Sequence, residues 1–218
     1  MKAHHGRKRM RKARLFSTQP VAECVGEVYK DCEIFGLTKG QFSLFDLVEY
    51  VLDRAGPSDV TIATWTAAGA DATRAFEFLR NGRIRSIRWI VDRSFKSRQP
   101  DYCRTLISLF GNDCIRTTAI HGKFTLIRND DWNFVIRTSM NLNQNKRIEN
   151  FEISEDFEFA SWFDSFVDEI FEMSPSDNFS GWNLNDIGAR TGDGENDVGR
   201  QRMFDPIMFR VGDDGQIH

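Results

Sequence analysis

The spacing of apolar positions changes period several times along the chain, and each change marks an element. Ser43 stands before FDLVEYVLDRAG, in which Phe45, Leu47, Val48, Val51 and Leu52 recur at helical spacing before Gly56-Pro57 ends the run. That pattern predicts a helix with Ser43 at its N-cap. Residues 58–68, SDVTIATWTAA, alternate and are rich in β-branched side chains, which predicts a strand. An Ala-rich helical pattern follows through ATRAFEFLRNG, with Ala75, Phe76, Phe78 and Leu79 available to a core. Residues 84–91 predict a second strand, 102–110 a short helix and 114–119 a third strand. Strands alternating with helices imply βαβ units and parallel pairing.

Beyond residue 120 the pattern is different. KFTLIR and WNFVIRTS are strand-like and are separated only by Asn129-Asp130-Asp131, which is hairpin chemistry. Residues 149–153 add a further strand. Ser154, with Glu155-Asp156, is placed to open a long amphipathic helix that buries Phe159, Trp162, Phe163, Phe166, Ile170 and Phe171. The stretch 21–37 reads as an irregular strand leading into the domain. The expected architecture is therefore a single α/β domain over 22–173, a mixed sheet flanked by helices. A basic N-terminal arm (1–21) precedes it, and an acidic, Gly-rich tail (174–218), ordered only against a partner or another subunit, follows.

Composition supports a packed domain, since 40% of the residues are hydrophobic and 19 are Phe. The formal net charge of −3 conceals an asymmetry. Lys2, Arg7, Lys8, Arg9, Arg11, Lys12 and Arg14 fall in the first fourteen residues, which contain no acidic residue. Such an arm is either an electrostatic contact for nucleic acid or a solvated terminus. Cys24, Cys32, Cys103 and Cys114 form no CxxC pair and have no His at metal spacing, so they read as reduced core thiols and no metal site is expected. The chain has neither an apolar run long enough to span a bilayer nor a signal-peptide pattern, which gives a cytoplasmic expectation.

The candidate chemistry lies around the hairpin. His121-Gly122-Lys123 stands at the head of its first strand, Thr138-Ser139-Met140-Asn141 closes its second, and Glu149 follows in ENFEI. His4, His5 and His218 are terminal, leaving His121 as the histidine within the fold. The order His, Lys, Ser, Asn and a later acid resembles the phospholipase D superfamily, whose motif reads HxK, four residues, Asp, six residues, Gly-Ser-x-Asn, and in particular its short single-motif nucleases. The likeness covers residues 58–172. It implies a phospholipase D-like mixed sheet with one HxK half-site per chain and no cofactor. It also implies His121 as the attacking imidazole, Lys123 as the cation on the phosphate, Ser139 and Asn141 as hydrogen-bond donors to the same oxygens, and Glu149 as the carboxylate that orients the imidazole. Because the family's sites face each other in pairs, a homodimer is implied.

Two positions depart from the pattern. Counted forward from Lys123 the expected Asp is Arg128, and counted back from Ser139 it is Asp131, so the hairpin is three residues longer than the family's. Thr138 replaces the usual Gly. A basic cluster of Arg80, Arg83, Arg85, Arg88, Arg93, Lys96 and Arg98 surrounds the second strand and the loop after it. With Arg93 and Lys96 nearest the expected site, and Arg7, Lys8, Arg9, Arg11 and Lys12 in the arm, it suggests a groove tracking a nucleic-acid backbone, DNA favoured. The expectation is a metal-independent phosphodiesterase, a nuclease working through a phosphohistidine. A nucleic-acid-binding protein with impaired catalysis and a phospholipid-processing enzyme are the alternatives on the same fold.

Overall fold

The structure is a computed structural model that describes residues 20–67, 69–142 and 146–173, together with the backbone of 11–15. Its centre is an eight-stranded sheet in the order β1-β2-β8-β7-β6-β3-β4-β5. The strands are β1 (Arg11–Leu15), β2 (Glu33–Thr38), β3 (Ser58–Thr64), β4 (Ile84–Asp92), β5 (Ile115–Thr118), β6 (Lys123–Arg128), β7 (Asn133–Thr138) and β8 (Glu149–Glu155). The helices are α1 (Val21–Val25), α2 (Leu44–Ala55), α3 (Gly69–Arg80), α4 (Phe95–Arg98), α5 (Pro100–Phe110) and α6 (Phe157–Met173). The expected α/β class and mixed sheet are what is found.

Pairing follows the two halves of the sequence. β3, β4 and β5 run parallel, as strands joined by helical crossovers must. β6 returns antiparallel beside β3, and the hairpin and its continuation give antiparallel β6–β7, β7–β8 and β8–β2 pairs. The carboxyl ends of β2, β3, β4, β5 and β7 and the amino ends of β6 and β8 therefore lie along one edge. This is the edge on which open α/β sheets place their ligands.

One face of the sheet packs on α1, α2, α3 and α5 through a core that includes Phe45, Val48, Phe78, Trp89, Leu106, Phe134 and Phe151. The other packs on α6, where Phe159, Ala160, Val167 and Ile170 meet Ala63, Ile90, Phe124, Leu126 and Val135. α2 begins with a capping box: Ser43 Oγ accepts from the Asp46 amide (3.3 Å) and the Asp46 carboxylate accepts from the Ser43 amide (2.6 Å). Gly56 ends α2 at φ +76°, a conformation that favours glycine. Gly36 of β2 is required for a different reason. A Cβ there would lie 2.3 Å from the tip of the Phe151 ring, which is wholly buried and packs edge-on against Phe42.

Several local expectations shift. Residues 11–15, placed in the basic arm, form the parallel edge strand β1, which pairs with the outer backbone of β2. The segment 21–37 is a short helix followed by β2 rather than one irregular strand. Ser154 and Glu155 belong to β8, and the cap of α6 is Asp156, whose carboxylate accepts from the Phe159 amide at 3.1 Å. Glu155 is buried because the amides of Asp31 (2.8 Å) and Asn133 (3.3 Å) donate to it, with Lys30 beside it at 3.4 Å. The hairpin turn is organised by Asn129, whose side-chain carbonyl accepts from the amides of Asp131 (2.9 Å) and Trp132 (2.8 Å). None of the four cysteines forms a disulfide; Cys24, Cys32 and Cys103 are buried and Cys114 is half-buried. No helix among the described residues is long and apolar enough to cross a membrane. The tail from 174 onward lies outside the described residues.

Candidate active site

The ends of four strands supply the site. β3 finishes at Thr64 with Trp65 just beyond it, β6 starts at Lys123, β7 finishes at Thr138 and β8 starts at Glu149. Registers bring these ends together, since Phe124 pairs with Ala63, Lys123 with Thr138, and Thr138 with Phe151. Positions two apart on a strand share a face, so Lys123 belongs to the face of Thr125 and Ile127, and Glu149 to that of Phe151 and Ile153. Both point to the side covered by α1, α2, α3 and α5.

His121 lies in the loop before β6 and is exposed. The expectation that it stands at the head of the strand is corrected, because pairing begins only at Lys123. The two are joined instead through the backbone: Lys123 Nζ donates to the His121 carbonyl at 3.1 Å. Lys123 is half-buried, and its burial lowers its pKa from the ordinary lysine value while the nearby Glu149 carboxylate opposes the shift.

Ser139 and Glu149 meet directly, the serine hydroxyl donating to the carboxylate and accepting from the Asn150 amide at 3.0 Å. Glu149 is thus engaged by Ser139, and among the described residues no hydrogen bond links it to the His121 imidazole. Thr138, the residue in place of glycine, turns its hydroxyl into the chain: it donates to the Asn150 carbonyl (2.6 Å) and accepts from the Met140 amide (2.9 Å). Asn141 leads into Leu142, whose amide donates to the Thr66 carbonyl at 3.3 Å, so this turn is pinned to the end of β3. The Asn141 side-chain carbonyl is buried and, among the described residues, has no hydrogen-bond partner.

The remaining candidates divide by position. Arg93 and Lys96 are half-buried in the turn and short helix after β4, at the same edge as His121. Arg7, Lys8 and Arg9 lie outside the described residues, and Arg11 and Lys12 are in β1, where only the backbone is described. Three arginines of the basic cluster are paired with acids. Arg83 pairs with Glu49 and Asp53, Arg85 with Asp59 at 2.9 Å, and Arg88 with Asp164 and with Asp168 at 2.6 Å. A cleft of about 510 Å³ at that opposite end is lined by Asp59, Arg85, Arg88, Arg128 and Asp164, among others. Its guanidinium groups are already matched by carboxylates. Arg128 itself ends β6, five residues past Lys123 or roughly 17 Å along a strand, and is held by Asp164, Ser161 (3.2 Å) and Asn133 (3.0 Å). Among the described residues no three His, Cys, Asp or Glu side chains are placed to hold a metal ion.

One neighbour of His121, Trp65, and the contact that holds it escape a reading of the sequence. Trp65 packs against the imidazole with ring centroids 5.9 Å apart and planes at 51°, and Arg98 stacks on Trp65 with its guanidinium carbon 3.6 Å from the ring centroid. Trp65 reads as one more strand residue and Arg98 as a member of the basic cluster; an aromatic directly after a strand's carboxyl end is the only hint of their contact.

No protein-family model matches the chain, and no curated protein sequence matches it. Among solved structures it is similar to Nuc from Salmonella typhimurium, described as a phospholipase D family member, at 14% identity and a TM-score of 0.48, covering 66% of this chain and 96% of that one. It is also similar to NucT from Helicobacter pylori, at 15% identity and a TM-score of 0.47, covering 66% of this chain and 98% of that one. In the order of its His, Lys, Ser, Asn and Glu the chain resembles the phospholipase D superfamily.

Proposed function

We propose that the chain is a phosphodiesterase acting on nucleic acid, with His121 as nucleophile in a half-site that a second copy completes. The observation that carries this reading is the convergence of His121, Lys123, Ser139 and Glu149 on one edge of the sheet from three different strand ends. A phosphodiester needs a nucleophile approaching to about 3 Å and donors for the charge on its non-bridging oxygens. An imidazole nitrogen of His121 attacks phosphorus, the bond to the leaving oxygen breaks, and the same residue of the second copy, as imidazolium, gives that oxygen a proton. That second imidazole then removes a proton from water. The resulting hydroxide attacks phosphorus, the P–N bond breaks and both imidazoles regain their starting states. Lys123 neutralises phosphate charge throughout.

Nucleic acid is preferred over lipid because of the cations in the first fourteen residues. The test is cleavage of DNA, with RNA and a generic phosphodiester beside it, in the presence of EDTA. His121→Ala and Lys123→Ala should each abolish cutting and leave the thermal transition nearly unchanged, since one side chain is exposed and the other half-buried. Sedimentation should give a dimer, and mixing His121→Ala with wild type should yield heterodimers that bind but do not turn over normally. Undiminished cutting by either variant would overturn the site. A wild type inert on all three substrates would leave a nucleic-acid-binding protein on the same fold.

A further inference from the structure

The loop that carries Trp65 is fastened on every side. Arg98 donates from its guanidinium to the Trp65 carbonyl (2.8 Å) and from Nε to Ser94 Oγ (2.8 Å). Ser94 is tied in turn to Asp92, whose carboxylate accepts from the Ser94 amide at 2.9 Å. The next residue, Thr66, has its hydroxyl against the Gln99 side chain, while its carbonyl accepts from Thr64 Oγ1 at 2.7 Å and from the Leu142 amide. The Trp65 ring is therefore mounted on α4 and β7's trailing turn together, and the stacked guanidinium adds a cation–π contact to the mounting.

His121 is in the opposite situation. It is exposed, sits outside any strand, and among the described residues its imidazole makes no hydrogen bond; the Trp65 ring is the aromatic surface against it. A histidine so placed samples several staggered rotamers, of which one or two bring a ring nitrogen to phosphorus. We infer that Trp65, held by Arg98, is the positioning residue for the His121 imidazole. The inference rests on the proposed function, because positioning matters only if His121 attacks. In this arrangement a packed ring does what a carboxylate does in a hydrogen-bonded triad, while Glu149 is left to Ser139.

The contact and its consequence are measured separately. In NMR spectra of the wild-type protein the carbon-bound protons of the His121 imidazole should be displaced by the Trp65 ring current, and Trp65→Ala should return them toward the positions of a solvated histidine. In kinetics Trp65→Ala should lower kcat by about 10- to 100-fold, the cost of a misplaced reacting group, with KM changed less than about twofold. Trp65→Phe, which keeps a ring, should recover most of the loss, and a thermal transition close to wild type in that variant separates positioning from folding. An unshifted imidazole in the wild type, a Trp65→Ala enzyme with wild-type kcat, or a change confined to KM would each overturn the inference while leaving the nucleophile standing. If Trp65→Ala fails to fold, Arg98→Gln replaces it: loosening the mount should lower kcat without raising KM, and full activity there would overturn the inference. A wild type without phosphodiesterase activity would remove both this inference and the reading beneath it.

Discussion

Lys123 stands between two influences of opposite sign. Burial favours its neutral form more strongly than the Glu149 carboxylate favours the ammonium, so its pKa falls below the ordinary 10.5. A step that needs the cation will therefore fail on the alkaline side earlier than a solvated lysine would allow. The rate should show an alkaline limb below 10.5. Glu149→Gln, which removes the charge that opposes the shift, should move that limb to lower pH still. Lys123→Arg should remove it over the same range, because guanidinium does not titrate there. An alkaline limb that persists unmoved in Lys123→Arg would assign it to another group. The charge at Arg128 has no such leverage. At the far end of β6 from Lys123 it pairs with Asp164 on α6.

Elements show where sequence reasoning works and where it stops. α2 was legible because cap, stripe and terminating glycine agree, and the capping box contributes on the order of 1 kcal/mol to a helix already fixed by its buried face. β3, β4 and the β6–β7 hairpin were legible for the same reason: local composition and tertiary need coincide. β1 was not, since Arg-Lys-Ala-Arg-Leu has no alternation and its place is decided by the unpaired backbone of β2. The end of β8 was missed because Glu155 looks like the first turn of a helix, whereas the amides of Asp31 and Asn133 claim its carboxylate. In the candidate site the motif singles out His121 and Lys123, but their link through a backbone carbonyl and the Trp65 contact depend on loop geometry that no periodicity encodes. The pairing of Arg83, Arg85 and Arg88 is equally hidden, because each partner is remote in sequence.

The same reasoning makes β2 testable. Gly36 reads as a weak point in a strand, yet the Phe151 ring occupies the space its side chain would need. Gly36→Ala should destabilise the protein by about 2 kcal/mol through overpacking, measured as a lower denaturation midpoint at unchanged slope. Combined with Phe151→Leu the two losses should be less than additive. Full additivity would show that the ring moves aside freely.

For the whole molecule, direction matters as much as adjacency. β2 runs toward the edge that carries Glu149, and β1 runs parallel to it, so the amino end of β1 lies away from that edge. Following the registers, Arg11 is level with Glu33, Ser154, Val135 and Leu126, three residues up β6 from Lys123. Four strand spacings across and three residues along place the origin of the basic arm roughly 20 Å from Lys123. A polymer that touches both must bridge that gap, which is about six base pairs at 3.4 Å each. Under the proposed function, the edge strand sets that span like a ruler. Removing residues 1–10 should weaken binding of long DNA and flatten its salt dependence, with no change for fragments below that length. Equal losses for short and long fragments would place the arm beside the nucleophile. If the ruler holds, the molecule grades its substrates by length before any base is read.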